Sequence, residues 1–585
     1  MYHRQRRLQN NSAALPPRQK SDSHGLFDDP EKIFQDEILK HEKRVRTDAG
    51  AGSWETLRGK LFVSIPFLDT DPPMTTSFLL KMLASIRIAS AFYSVINDCD
   101  EIYNYWEPLH LLLFGRGFQT WEYSPEYSIR SWLYIIFHYI PAYFLSFITA
   151  DSKVALFYTF RILLGFFHAG AEFHLYNSVG QRLGYGIARL YFIINLLAVG
   201  TFYSGFFAIF CTAVSALVGW PFAAVLGLPI VVEMLFIRRG EYIFKFIKHA
   251  FLSGISVLAV LYTVDSHYYG KTVIAPLNIV LYNVFSKHGP ELYGVEPFTY
   301  YIKNLILNWN IAPFLALLAV PLSLIAYIPT CCTFDSKDNK ITSQVIRPTN
   351  SIAYWYRFIP VALIALTAFV WSFIFFSQPH KEERFLFPIY PHIALLMAIT
   401  LSSIRHFIPR KFSFFPYLLV AAFALMSISR GFAVFKHYRG IAETHKQLHD
   451  YLVFHPDVHF SEMNDPIRVC TGKEWHRFPS NFFIPEKATD KYGVTKKVEL
   501  HFIKSAYRGL LPKPYASGTL PNITRLIPTD MNELNQEEPS RYIPVETCDY
   551  MIDFDDGRNG NPDEPNFVEA LRTVGIGGVG ITFLP

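Results

Sequence analysis

Three carboxylates fall within four residues in Asp98-Cys99-Asp100-Glu101, and the run continues Ile102-Tyr103-Asn104-Tyr105-Trp106-Glu107-Pro108. A carboxylate can take the proton of a sugar hydroxyl as a general base. The cluster stands where an apolar run ends, and charge at such a place is costly unless solvated or used. The competing reading is a solvated loop in which Asp98 or Asp100 caps the next helix. Tyr103 occupies the third position after Asp100, so no capping box forms. The helix that would follow, 101–114, carries Trp106, Leu109 and Leu113 on one side, which suits a helix lying in the membrane interface.

A second cluster reads Gln378-Pro379-His380-Lys381-Glu382-Glu383-Arg384-Phe385. Pro379 suits the first position of a helix, whose start would offer free N–H groups and the positive end of its dipole. Lys381 and Arg384, three apart, would share a face there. That is a site for an anion, and a phosphate fits best. Alternatively the two cations snorkel to lipid headgroups while Glu382 and Glu383 pair with them. A third edge, Asp265-Ser266-His267-Tyr268-Tyr269-Gly270-Lys271, could join either site or be an aromatic belt with a helix cap. A base and a cationic cluster on one membrane face suit a transfer in which a sugar hydroxyl loses its proton and a lipid phosphate departs. The residues alone therefore suggest a membrane-embedded glycosyl transferase.

Membrane helices must position these groups. Apolar runs lie near 77–96, 129–149, 154–174, 185–203, 205–219, 221–237, 248–264, 310–328, 355–376, 387–404 and 413–432. About 30 Å of hydrocarbon demands roughly 20 residues per helix. The expected fold is mainly α, a polytopic transmembrane protein with about 11 transmembrane helices. Between 205 and 237 the runs are short and contain Gly219, Pro221, Gly227 and Pro229, which leaves tilted, broken or re-entrant helices open. Composition agrees: hydrophobic residues make up 51% of the 585 and charged ones only 18%, against about 25% charged in soluble domains. Disordered, collagenous and disulfide-scaffold proteins are excluded. A net charge of +5 with no basic stripe argues against a nucleic-acid partner.

Lysine and arginine set the orientation. Residues 1–76 are polar and basic without the apolar core of a signal peptide, and read as a disordered cytosolic tail. Loops with Arg238, Arg239, Lys245 and Lys248, and with Arg405, Arg410 and Lys411, then face the cytosol. Loops 97–128, 265–309 and 377–386 face the other side, as does everything after 433. The transmembrane module is 77–432. Residues 433–585 contain the β-rich stretches Ile467–Gly472, Val498–Ile503 and Tyr550–Phe554, which predict a small mixed α/β domain. That domain carries the acceptor sequon Asn522-Ile523-Thr524, consistent with a lumenal position. Cys470 and Cys548 could form a disulfide or remain buried thiols, and Cys331-Cys332 could be palmitoylated. No metal-ligand spacing, internal repeat or Gly-rich phosphate loop is present in the sequence.

His380-Lys381-Glu382-Glu383-Arg384-Phe385 resembles the signature of glycosyltransferase family 22, which has the GT-C fold and uses dolichyl-phosphate mannose. The acidic loop, together with Gly472-Lys473-Glu474-Trp475-His476-Arg477-Phe478-Pro479, is similar to the family's α-1,2-mannosyltransferases of N-glycan precursor assembly. The similarity runs from about residue 77 to the C-terminus. It implies a multi-spanning endoplasmic reticulum enzyme that moves mannose from dolichyl-phosphate mannose to the dolichyl-pyrophosphate-linked oligosaccharide. Two α-1,2 additions on different branches are expected, with inversion, a single carboxylate base and no metal or other cofactor. Related members have a His-Pro-Asp-Glu tetrad where this chain reads Asp98-Cys99-Asp100-Glu101. Asp100 is thus the first choice for the base, Asp98 its competitor, and Glu101 a residue that could instead position the acceptor. His380, Lys381 and Arg384 map to the donor phosphate; Trp106 and Glu107, with Asp265 and Tyr268 as further candidates, map to the acceptor. Gly472–Pro479 could bind sugar or pack the lumenal domain. The alternatives are a sibling α-1,6 or glycosylphosphatidylinositol mannosyltransferase, and a transporter. A transporter would place ionisable residues near the midplane, where Arg161 and Glu233 are the clearest here.

Overall fold

The computed structural model describes residues 72–96, 98–149, 152–197, 208–285, 290–327, 358–455, 466–477 and 480–553. Helices make up most of the described part of each apolar run, because hydrocarbon leaves backbone N–H and C=O groups no partner but each other. Among the described residues, six helices are long and apolar enough to cross a membrane: Lys153–Leu183, Pro221–Arg238, Glu241–Tyr269, Ile359–Ser377, Glu383–Phe407 and Phe415–Tyr438. Trp132–Ile148, Tyr185–Leu196 and Ala275–Phe285 are apolar but shorter. Thr76–Tyr93 carries Lys81 and Arg87, and 310–328 forms two short helices, Ala312–Leu317 and Ala319–Tyr327. The Pro- and Gly-containing stretch from Pro221 winds as a 3-10 turn, then α, then π, so the irregularity falls where its sequence is irregular. Loop 265–309 is more ordered than its sequence suggests, with helices Ala275–Phe285 and Thr299–Trp309.

Polar groups pin some of these helices together. Arg87 Nε donates to Glu172 Oε2 at 2.9 Å, and Asn195 Nδ2 donates to Glu172 Oε1 at 2.6 Å. A buried ion pair is tolerated in an apolar bundle when its remaining hydrogen-bonding capacity is met in this way. Tyr390–Phe407 runs through the middle, with Ile393 to Ser403 buried on every side.

The acidic loop continues into a helical segment, Cys99–Glu101 as α, Ile102–Trp106 as a π turn and Glu107–Phe114 as α. An interfacial helix would keep one face wet. This one is covered all round: Tyr103, Asn104 and Trp106 to Leu112 are buried. The cover comes from the C-terminal region and from helix Lys153–Leu183. Tyr103 packs on Trp475 and Phe502, and Trp106 packs on Phe157 and Phe482. An apolar face that local sequence assigns to lipid is thus buried by protein, part of it more than 350 residues away.

In the C-terminal region four strands form a sheet: β2 (Ile467–Thr471), β3 (Lys487–Thr489), β4 (Thr495–Phe502) and β6 (Tyr550–Met551), ordered β3-β4-β2-β6. β2 pairs in parallel with β4 and β6, and β3 pairs antiparallel with β4. β1 (Phe118–Gln119) pairs antiparallel with β5 (Lys513–Pro514), which ties the first loop to this region. A disulfide joins Cys470 to Cys548 beside the sheet.

Candidate active site

Asp98 caps the buried helical segment, its Oδ1 accepting from the Asp100 backbone N–H at 2.9 Å. Its other oxygen lies 2.5 Å from Arg384 Nη1, while Asp100 Oδ2 lies 2.7 Å from Arg384 Nη2. Arg384 Nε meets Glu382. One guanidinium thus bridges three carboxylates. It is held in place by a local scaffold: Trp371 Nε1 donates to the Phe385 carbonyl at 2.8 Å, and Asn308 Nδ2 donates to Glu383 at 2.7 Å.

A second arginine flanks the pair. Arg130 Nη2 lies 2.9 Å from Glu122 and 3.6 Å from Asp100. The third edge of the sequence buttresses it. Tyr269 donates its hydroxyl to the Arg130 carbonyl at 2.7 Å. Asp265 Oδ1 accepts from Ser131 Oγ at 3.0 Å and from the Leu133 N–H at 3.2 Å, capping the helix that begins just after Arg130. Beside Arg130 opens a cavity of about 400 Å³ lined by Tyr105, Tyr123, Tyr134, Val218 and Ile279.

These surroundings split the acids. Burial lifts Asp98 to about 6; Arg384 opposes the rise and Asp100 adds to it. Burial also works against the charge on Asp100, but Arg384 and Arg130 outweigh it and hold the group below the ordinary aspartate range. Glu101 is raised by burial, with Arg161 opposing; it accepts a long hydrogen bond from Trp106 Nε1 at 3.3 Å. His380 contacts Glu382 at 2.9 Å through Nε2 and the Gly294 carbonyl at 2.9 Å through Nδ1. Burial pulls its pKa down, but these two partners outweigh burial and hold the group above the ordinary histidine value.

The structure therefore unites Asp98, Asp100, His380 and Arg384, and it separates the other candidates from them. Lys381 is buried, its Nζ donating to the carbonyls of Glu296, at 2.9 Å, and Gln378. No helix starts at Pro379: Glu382 is extended (φ −129°, ψ 147°) and the helical turn begins at Glu383, so Lys381 and Arg384 do not share a helix face. Glu107 is fully buried; it accepts from the N–H groups of Phe118 and Asn481, from Ser480 Oγ and from Asn481 Nδ2. It fastens the loop to the C-terminal region and faces no groove. Trp106 is a core residue. Tyr268 stacks on Trp132 at 5.1 Å, and its carbonyl accepts from Thr524 Oγ1 at 2.7 Å. Asn522, next to that contact, is exposed on a 3-10 turn. The described part of the Gly472 motif packs inward: the Trp475 carbonyl accepts from Tyr103 Oη at 3.0 Å, and Asp553 accepts from the N–H groups of Lys473 and Glu474. Phe478, Pro479, Phe554, Cys331 and Cys332 lie outside the described residues, as do Asn97 and most of the N-terminal tail.

Among the described residues, metal-ligating atoms converge at Asp98, Cys99 and Asp100, within 4.8 Å of one another. The Arg384 guanidinium takes the place between the two aspartates where a cation would bind. Sequence reasoning named Glu382 only as a pairing partner of the cations, which it is for Arg384, and it missed Glu122 and Arg130 as members of the site. Arg130 had a usable signal: like Lys381 and Arg384, it is a cation in a loop that the charge pattern of the sequence assigns to the side where positive charge is scarce. Glu122 had none, because its role comes from its neighbours.

Comparison with known proteins fits this arrangement. The model of the Alg9-like mannosyltransferase family matches residues 78–206 and 204–485. The chain is 43% identical over 528 residues to the α-1,2-mannosyltransferase algn-9 of Caenorhabditis elegans, covering 85% of this chain and 84% of that one. It is 39% identical over 535 residues to the α-1,2-mannosyltransferase ALG9 of Homo sapiens, covering 85% and 81%. No solved structure matches.

Proposed function

The chain belongs to the Alg9-like mannosyltransferase family, and from that premise we propose that it is an α-1,2-mannosyltransferase acting on lipid-linked substrates at the lumenal face of the endoplasmic reticulum membrane. The donor is dolichyl-phosphate mannose, and the acceptor is the dolichyl-pyrophosphate-linked oligosaccharide, extended by α-1,2-mannose on two branches. The observation that carries the reading is the bridge of Arg384 between Asp98 and Asp100, a cation and a base placed side by side at one end of the helices.

The reaction is a single displacement. Asp100 takes the proton of an acceptor mannose 2-hydroxyl while that oxygen bonds to C1 of the donor mannose. The bond from C1 to the phosphate oxygen breaks, and dolichyl phosphate leaves with the electron pair. Arg384 and the His380 imidazolium meet its charge. The β-linked donor becomes an α-linked product, so one base is sufficient. Asp98 and Glu382 keep Arg384 oriented, and Lys381 secures the loop through its two carbonyl bonds. In this mechanism arginine and histidine supply the positive charge that a metal would otherwise provide.

Eleven crossings with the N-terminus in the cytosol put residues 97–128, 377–386 and 433–585 in the lumen. Two chemical features support that orientation. The Cys470–Cys548 disulfide suits an oxidising compartment, and the Asn522 side chain of the sequon is exposed in the same region. Transfer by the purified full-length protein from dolichyl-phosphate mannose to synthetic acceptors for each branch tests the proposal. Product from wild type in the presence of EDTA, with none from Asp100→Asn, is the expected result. If folded wild type extends neither acceptor, the proposed reaction is wrong.

A further inference from the structure

A second cavity lies on the other side of the acidic loop, where the end of Thr76–Tyr93, helix Lys153–Leu183 and helix Gly440–Phe454 meet. Its lining includes Phe92, Tyr93, Phe157, Tyr158, Arg161 and Arg439. Phe92 and Tyr93 are exposed, at 45% and 56%, and give the cavity an apolar outer rim. Phe157 closes its inner wall at 1% exposure.

Both arginines are presented by aromatic rings. Arg161 lies 5.3 Å over Phe157 and gives one N–H to the Ser94 carbonyl at 3.0 Å. Arg439 lies 4.8 Å over Phe435 and 5.5 Å over Tyr93, with Glu443 at 3.1 Å. A guanidinium whose face rests on a ring keeps its N–H edge for hydrogen bonds in the plane, the geometry that suits phosphate. A cation within an apolar helix, such as Arg161, is costly unless an anion or a function requires it. The cavity wall also holds Glu443, the partner of Arg439, and the backbone from Ser94 to Ile96 that leads toward the acidic segment. The cavity therefore has two arginines in its wall and an aromatic, outward-facing rim.

We propose that this cavity binds the phosphate of a polyprenyl-linked substrate, with Arg161 on its inner side, Arg439 at its rim and the lipid leaving past Phe92 and Tyr93. The proposal rests on the transferase reading and extends it. A transfer between two phosphate-bearing lipids requires two anion subsites, and the Arg384 cluster provides only one. Donor monophosphate and acceptor pyrophosphate share the chemistry that this cavity recognises.

Steady-state kinetics of the full-length protein distinguish the two. Arg439→Gln should raise the KM for one lipid substrate roughly tenfold, with kcat at saturation within about twofold. Arg439→Lys should restore part of the loss, and Arg161→Gln should move the same KM. A change for the donor assigns the cavity to the monophosphate, and a change for the acceptor assigns it to the pyrophosphate. Unchanged KM for both in folded Arg439→Gln overturns the proposal. Because Arg161 packs in the interior and its loss can unfold the protein, Arg439→Gln is sufficient for the test. A binding arm uses sugar-free polyprenyl phosphate, polyprenyl pyrophosphate and inorganic pyrophosphate. Weaker lipid-phosphate binding by Arg439→Gln supports the cavity even if wild type transfers no mannose, which would defeat the reaction and not the site. Equal affinity for inorganic and lipid-linked pyrophosphate would overturn the lipid assignment.

Discussion

Arg384 and Asp98 are separated by 286 positions in the chain and by 2.5 Å in the fold. The contact joins the start of a buried helix to the cap of the acidic segment that begins at Asp98. It brings two aspartates and an arginine into one cluster, and the charge-assisted bonds of a planar guanidinium fix the direction of each carboxylate. The two aspartates meet the same arginine but not the same environment. Arg130 adds to the positive field on Asp100, whereas Asp98 is dominated by burial.

That difference predicts the pH profile. A general base works ionised, so the rate falls as pH drops through its pKa. With Asp100 as base, kcat should stay level from pH 7 through pH 6 and decline only below the ordinary aspartate value of about 3.9, as far as the protein stays folded. A half-maximal rate near pH 6 that disappears in Asp98→Asn would transfer the role to Asp98, whose carboxyl titrates at about 6.

Arg384→Gln should lower kcat/KM by about 100-fold or more, because it unpairs three carboxylates and, in the proposed mechanism, removes the charge that meets the departing phosphate. Lys381→Ala should behave differently. Its Nζ serves the carbonyls of Glu296 and Gln378, so thermal stability should fall while the donor KM stays within about twofold. A large rise in donor KM for a well-folded Lys381→Ala would return that lysine to the phosphate site.

Glu107→Ala should destabilise the protein by about 3 kcal/mol, since it strands four buried donors from Phe118, Ser480 and Asn481. Glu107→Gln keeps the shape and part of the bonding and should lose less. Thermal unfolding in detergent measures both; equal melting temperatures for wild type and Glu107→Ala would show that the latch contributes little.

The Cys470–Cys548 bond spans a sequence separation of 78, for which loop-closure entropy gives about 4.5 kcal/mol. Cys470→Ser with Cys548→Ser, or treatment of wild type with reductant, should lower the melting temperature. A second observation bears on location: Asn522→Gln should migrate faster on a gel than wild type expressed in cells. Identical mobility, unchanged by glycosidase, would leave the lumenal assignment without its glycan.

The sequence by itself determined where the helices and the main strands lie. Apolar length and β-branched alternation are local properties, and so the eleven runs, β2 and β4 fall close to their expected positions. It also marked Asp98, Asp100, His380 and Arg384, because charge beside an apolar run stands out without any knowledge of neighbours. Tertiary structure decided what each group faces. Trp106 and Glu107 have the chemistry of a sugar groove, yet packing against Phe482 and Asn481 turns them into core and latch. Lys381 has the same charge as Arg384, yet one extended residue before the helical turn sends it to backbone carbonyls. Arg130 and Glu122 join the site through a partnership that neither signals locally. Pairings between distant segments depend on which surfaces exclude water from each other, and no stretch of sequence contains both halves of such a contact.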